Sequence, residues 1–401
     1  MTHAAFARSI PRSATAGLLT VATAAATPIA ADESDLAYPG QTGRLVYATQ
    51  ADGDRIMDFS RVGYRYGEVE IPDVAGVITV APGEGDDFAR IQAAIQEVER
   101  RPLDANGFRG AVVLEPGVYQ SSGRITIRKS GVVLRGAGDD PVHGTRLHAT
   151  FTTQGPLIYA DPGGSADGST SGPVVNLIDK YVPVGATSFR VDQAGNFSAG
   201  DRVLVTRPGT QAWINAIGMD QIPPRNDGRE VRQWQPGVYN LDWERKVTRV
   251  EGDRVFIDSP LSNSIDQRFG GGTIKHFSFP ERIENVGIEG IRGISDYDTS
   301  NNQDEDHAWN FVDFKRVEHG WVRNVTGQHF ALSTVILRST TTNITVEDAH
   351  SVEPISEVTG GRRYAFNTNG AENNLFRDMT SDRGRHDFVT NSPSEGPNVF
   401  L

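Results

Sequence analysis

Cysteine is absent from all 401 residues, which excludes disulfides, thiolate metal sites and a cysteine nucleophile. Net positive charge is lacking too: the formal charge is −12, with acidic and basic residues interspersed. That balance argues against bulk attraction to nucleic acid or to an anionic membrane as the partner. No run of apolar residues after the N-terminus approaches transmembrane length. Helical periodicity is scarce as well, and convincing in a single segment. What the chain has in quantity is 43 glycines, 21 prolines and many β-branched residues, the composition of short strands joined by turns. Its length suits one large domain or two ordinary ones.

The N-terminus differs from the rest. Arg8 and Arg12 precede an alanine-rich apolar stretch, Ala16 to Ala26, and then TPIAADE. A basic start, a short apolar core and small residues ahead of an acidic stretch form the pattern of a secretory signal peptide, here residues 1–31. The bland alternative is an alanine-rich tail. Export without cysteine suits a bacterial secreted or periplasmic protein. An aromatic- and Gly-rich lead-in, residues 32–75, follows. Then DDFARIQAAIQEVERRP sets Phe88, Ile91, Ile95 and Val98 on one helical face, with Asp86 or Asp87 to cap it and Pro102 to stop it. A lone amphipathic helix ahead of strand patterns reads as a cover for one end of a β structure.

Short strands then alternate with turns from Gly110 to Gly138, with Val112, Leu114 and Tyr119, then Ile125 and Ile127, then Val132 and Leu134 as the apolar positions. A capping helix followed by VVLEPGVY and ITIRKSGVVLRGAG resembles the entry to the right-handed parallel β-helix of the pectate-lyase-like superfamily. The resemblance implies an all-β solenoid with an N-terminal capping helix. Its first coils fall in residues 76–172 and the remaining coils in 264–401. It also implies a polysaccharide, acidic or neutral, lying in a groove along a parallel sheet. The calcium-binding aspartate pattern of pectate lyases and the aspartate motifs of polygalacturonases are missing, so no single activity is implied. Residues 173–263 change rhythm, with strand pairs around Gly200–Asp201 and Gly252–Asp253 flanking an irregular stretch from Gly209 to Leu241. This reads as a small β-barrel-like insertion. Trp213, Trp234 and Trp243 fall in or beside it, where rings either stack on sugars or pack the insertion in place. Trp234 is a candidate substrate contact.

Four later segments align by their apolar alternation, beginning at Glu284, His319, Thr342 and Asn373, and each is followed by a second apolar strand. Solenoid stacking would bring the turns before those second strands together. With Trp309, Ser333, Tyr364 and Asp387 on equivalent rungs, the stacked turns are DEDH, GQHF, TGGRR and DRGRH. The candidate catalytic residues on that edge are His307, His329, His386, Arg363, Arg385 and Asp306. Arg362, Glu353, Asp387 and Trp309 are candidate substrate contacts. Arginines suit a carboxylate clamp and a histidine suits the base of β-elimination from a uronic acid, which makes a polysaccharide lyase the leading expectation. The acidic residues Asp304, Glu305, Asp306, Glu353, Asp382 and Asp387 keep glycoside hydrolysis or glycosyl transfer open. A non-catalytic β-helix of the adhesin type, with the charges as a structural ladder, stays open as well. Asp304 and Asp306 offer oxygens to Ca²⁺, a weak signal, and no other metal is expected. Val399, Phe400 and Leu401 read as mid-strand, so a longer chain or a partner is expected to cover that sheet end.

Overall fold

The alternating segments pair in parallel rather than as hairpins. The computed structural model describes residues 34–164, 167–226, 228–391 and 395–401, so the expected signal peptide lies outside the described residues. The chain divides into two units, residues 1–46 and 47–401. The first carries most of a two-stranded ladder, Ala37–Pro39 with Leu45–Tyr47.

The second unit is mostly β, built on two parallel sheets. One sheet runs Gly76–Val80, Gly110–Leu114, Val132–Arg135, Gly287–Ser295, Trp321–Gln328, Thr345–Val352, Asn374–Ser381 and Asn398–Phe400, each parallel to the next. Gly117–Ser121 and Thr145–Ala149 join it beside Ile291 to Ser295. The other runs Ile125–Ile127, Pro156–Ala160, Asn310–Phe314, Ser333–Arg338, Tyr364–Asn369 and His386–Asn391. Parallel strands need a crossover: the helix Phe88–Arg100 joins the first two strands, and in the later repeats each sheet's strands serve as the crossovers of the other. Gly287, Trp321, Thr345, Leu375 and Val399 share one rung, so the four aligned segments do lie side by side.

Backbone corners explain how one strand serves two faces. Gly290, Asn324, Asp348 and Asp378 occupy one rung and all are left-handed, with φ of 67°, 51°, 49° and 55°. A second column, Asn285, His319, Asn343 and Asn373, is left-handed as well. Gly, Asn and Asp take this conformation at little cost, so the sequence carries its corner signal in these residues. Between corners the apolar positions face inward: Ile288, Ile291, Val322, Val325, Val346, Phe311, Val335 and Phe366 are each fully buried. Burying such a side chain contributes roughly 1.5–3 kcal/mol. On the outside, Arg135, Glu289 and Arg323 stack as ion pairs on successive rungs, and Glu347 pairs with Arg377.

The helix Phe88–Arg100 packs on the first strands of both sheets through Ile91, Ala94, Ile95 and Val98. Asp86 accepts from the Phe88 N–H at 3.1 Å, whereas the Asp87 carboxylate turns to Gly83, Arg90 and Gln120.

A six-stranded antiparallel sheet lies between Ser169 and Ser278, with its own core of Val175, Phe189, Val203, Trp243 and Ile274. It is open, contrary to the barrel-like expectation. Its outer strands Ser169–Asn176 and Ser188–Arg190 are bridged only through the residues just past them, Leu177 and Val191, and form no ladder. A buried ionic network ties it to the parallel stack. Glu244 pairs with Arg202 and Arg282, Glu318 pairs with Arg202, and Arg245 bonds Glu372 at 2.6 Å.

Candidate functional site

The turns expected to meet do meet, through backbone bonds from Leu332 to Trp309, from Arg363 to Ala331 and from Arg385 to Arg363. Their register differs from expectation by one residue at both ends. Asn310, Ser333, Tyr364 and His386 share the rung, not Trp309 and Asp387. A slip of one residue exchanges the two faces of a strand, and the corner's contents divide accordingly.

One group is turned to structural work. His307 is fully buried, its Nδ1 2.7 Å from the Ser295 hydroxyl and its Nε2 3.1 Å from the carbonyls of Asp304 and Ile355. Arg362 forks onto Glu305 at 2.7 and 2.9 Å and covers the Trp309 ring at 4.4 Å. That guanidinium holds the Glu305 carboxyl below its ordinary pKa. Arg363 donates to the Ser356 carbonyl at 2.6 Å. Asp304 accepts from the backbone of Asp298 and Asp306 at 2.9 and 3.1 Å, one bond to each of its carboxylate oxygens. Among the described residues no group of three His, Asp or Glu is arranged around a common metal position. The other group is exposed: Asp306, Arg385, His386 and Asp387. Arg385 lies 3.4 Å from the Tyr364 hydroxyl, His386 packs near that ring, and Asp387 accepts from Ser381 at 2.7 Å.

His329 belongs to neither group. It stands in a third left-handed column with Glu353 and Arg383, φ 68°, 48° and 59°. Here the residues are not Gly, Asn or Asp, and left-handed backbone costs other L-residues roughly 1–2 kcal/mol. Such strain is kept where the side chain itself is needed. His329 Nε2 lies 3.7 Å from Glu353, and Glu353 pairs with Arg383 at 3.1 Å. Tyr297 packs edge-on against the imidazole, centroids 5.0 Å apart. Burial pushes the His329 pKa below its ordinary 6.5, opposed by Glu353, so the ring is neutral at pH 7.

The face beside this column holds groups that sequence reasoning missed. Arg146 and Arg292 are direct neighbours on adjacent parallel strands, about 4.8 Å apart along the stack. Neither has a carboxylate at ion-pair distance among the described residues. The Arg146 Nε is buried without a partner among the described residues. Arg292 donates to the Asp139 carbonyl at 2.9 Å, and its Nη1 lies 3.4 Å from the Gln328 Oε1. The Gln328 Nε2 is in turn 3.3 Å from the His329 Nε2. One amide therefore spans the gap from guanidinium to imidazole. His148 and Asp296 close the edge, 2.8 Å apart. Arg292 lay inside an aligned repeat and its outward position could have been read from alternation. Arg146 precedes the antiparallel sheet by sequence, and no local signal links it to Arg292. Trp234 lies elsewhere, beside Trp213 and Tyr239, and Trp243 is fully buried with its Nε1 bonded to Ser262 and the Glu395 carbonyl.

No protein-family model matches this chain, and no curated protein matches it. Solved structures do. The tailspike protein gp49 of Pseudomonas phage LKA1 aligns at 15% identity and TM-score 0.41, over 74% of this chain and 41% of that one. An iota-carrageenase of A. fortis aligns at 12% identity and TM-score 0.36, over 77% and 44%. The catalytic unit of an alpha-1,3-glucanase from Streptomyces thermodiastaticus aligns at 12% and 0.29, over 82% and 42%. The chain thus spans about two fifths of the length of these structures. Likeness of this extent carries no argument about chemistry.

Proposed function

We propose that the chain is an exported right-handed parallel β-helix of pectate-lyase-like type that cleaves a uronic-acid-containing polysaccharide by β-elimination. The observation that carries this reading is the Arg146–Arg292 pair, which has no carboxylate at ion-pair distance among the described residues, Asp139 and Asp140 acting on Arg292 only from farther off, and which is joined to a neutral His329 through the Gln328 amide. Like charges on adjacent rungs repel, and a bound anion relieves that repulsion. A substrate carboxylate seated on the two guanidiniums in place of Gln328 presents its α-carbon, C5, to His329. Bidentate binding disperses the carboxylate's charge and makes the C5 proton easier to remove. His329 Nε2 takes that proton, and Glu353 stabilises the imidazolium. The C–H electron pair becomes the C4–C5 double bond, the C4–O bond breaks, and the leaving oxygen takes a proton from the Tyr297 hydroxyl or from water. The clamp is then Arg146 with Arg292, in place of Arg362 and Arg363, whose donors are engaged by Glu305 and Ser356.

Hydrolysis is the second reading, because Glu353 and Asp296 both bear electrostatically on His329. It would use those two carboxylates rather than Asp304 and Glu305. The deciding experiment incubates the protein with polygalacturonate, alginate and hyaluronate and follows two signals. Elimination produces the ultraviolet absorbance of an unsaturated uronate together with new reducing ends. Hydrolysis produces reducing ends alone, and an inert β-helix produces neither.

A further inference from the structure

The irregular stretch from Gly209 to Leu241 contributes to a cavity of about 410 Å³ that shares no residue with the His329 cluster. That volume lies within the roughly 300–1,000 Å³ of small-molecule sites. It adjoins the strand His386–Asn391 at Thr390, about 13 Å along from His386 at the usual strand rise. Its wall is aromatic. Trp234 stacks on Tyr239 with centroids 3.7 Å apart and rings 18° from parallel, and Trp213 leans against Trp234 at 5.7 Å. Arg207 is 4% exposed, lacks a carboxylate partner among the described residues, and lies over the Trp213 ring at 4.1 Å. Burial without a counter-ion leaves that ring as its partner, which fixes the ring in place. The aromatic wall is therefore set before any ligand arrives, which lowers the ordering cost of binding.

The polar groups of the lining separate into spent and free. Ser262 is bonded to the Glu395 carbonyl, and Asn398 is taken up by Asn374 and Ala371. The Asn263 amide and the Thr390 hydroxyl have no hydrogen-bond partner among the described residues. Among the described residues, the lining holds no Asp, Glu, His, Lys or Arg. Stacked aromatic faces beside an unbonded amide and hydroxyl match a pyranose ring, which has an apolar C–H face and hydroxyls at its edge. We propose that this cavity binds a neutral sugar ring, as a site distinct from the cleavage cluster. The uncharged lining selects neutral over acidic residues, because the cation beside it, Arg207, is 4% exposed and held over the Trp213 ring rather than among the lining residues.

The site stands whether or not the His329 cluster cleaves anything, and its test measures binding alone. Intrinsic tryptophan fluorescence of the full chain is titrated with cellohexaose, maltohexaose and xylohexaose, with hexagalacturonate as the acidic comparison. A saturable change with at least one neutral oligosaccharide is expected, weakened about tenfold or more by Trp234→Ala. Asn263→Ala, which removes one hydrogen bond and leaves the aromatic wall intact, should weaken it about fivefold. His329→Gln should leave it unchanged, which separates this site from the cleavage cluster. The proposal is overturned if only the acidic oligosaccharide binds, or if the neutral signal survives both Trp234→Ala and Asn263→Ala. It is also overturned if 8-anilinonaphthalene-1-sulfonate binds the cavity while no saccharide does.

Discussion

Acidification should cost this protein about 3 kcal/mol through a single histidine, and one substitution should remove that cost. His319 is 4% exposed and packs edge-on against the rings of Tyr64 and Tyr66, with centroids at 6.5 and 5.1 Å. Its Nδ1 has no partner among the described residues, and its Nε2 lies 3.5 Å from Glu318. Burial pushes its pKa from 6.5 down to about 4, against the pull of Glu318. In the unfolded chain the imidazole titrates near 6.5. Between that value and about 4 the unfolded state holds a proton that the folded state does not. Stability therefore rises with pH across this window and is lost as pH falls through it. At about 1.4 kcal/mol per pKa unit, the displacement corresponds to about 3 kcal/mol. Glu395 works in the opposite sense. Burial raises its carboxyl to about 7, so its contribution falls as pH rises from about 4.5 toward 7. The wild-type profile sums these with every other shifted group, the lowered His329 and the raised Glu284 and Glu372 among them, and only a difference between proteins isolates His319. His319→Asn is the apt variant, because Asn285, Asn343 and Asn373 hold the same left-handed rung. Urea unfolding at pH 7 and pH 4, followed by the fluorescence of nearby Trp321, gives the comparison. The gap between wild type and variant should move by about 3 kcal/mol in favour of the variant on acidification. A gap that stays flat from pH 7 to pH 4 refutes the reasoning.

Further outcomes follow from the same geometry. Glu372→Gln leaves Arg245, which has no exposed side-chain surface, without its counter-ion, and should cost about 3–5 kcal/mol in chemical unfolding. Replacing both by apolar residues of similar volume should cost much less. His329→Gln should fold normally and lower turnover of a polyuronate by about 10²–10⁴-fold, the range for a removed general base. Because burial holds the His329 pKa below 6.5, the base stays active as pH falls past that value. The acidic limb of kcat/KM should therefore drop only below pH 6.5, and a limb centred above it would remove His329 from the role. Glu305→Gln, which frees Arg362, should lower the melting temperature while leaving turnover within a few-fold of wild type.

The helix and the repeated strands were legible because their signals are local. Ile91, Ile95 and Val98 recur at helical spacing, and each later segment alternates in and out over a few residues. The corners at Asn343, Asn373 and Asp348 carry residues that favour left-handed turns, a signal that reading each segment as one alternating strand passes over. His329, Glu353 and Arg383 take the same conformation without that composition, so His329 and Glu353 stood out by residue type alone and nothing local marked them as one column with Arg383. Counting rungs through turns of unequal length put Trp309 and Asp387 one residue off. The acidic turn looked like an active-site wall because charge is visible in sequence and partners are not. Asp304, Glu305 and His307 are occupied by the backbone, Arg362 and Ser295. Arg146 and Arg292 meet only through long-range pairing across the antiparallel sheet's insertion point, which local pattern cannot supply.

The most direct test of the account is polyuronate cleavage by wild type, Arg292→Ala and His329→Gln, scored together for unsaturated-uronate absorbance and reducing ends. Both signals should rise in parallel for wild type. They should fall together in His329→Gln, with Arg292→Ala losing mainly affinity for the acidic substrate. Reducing ends without absorbance, or full activity in both variants, would contradict elimination at this site.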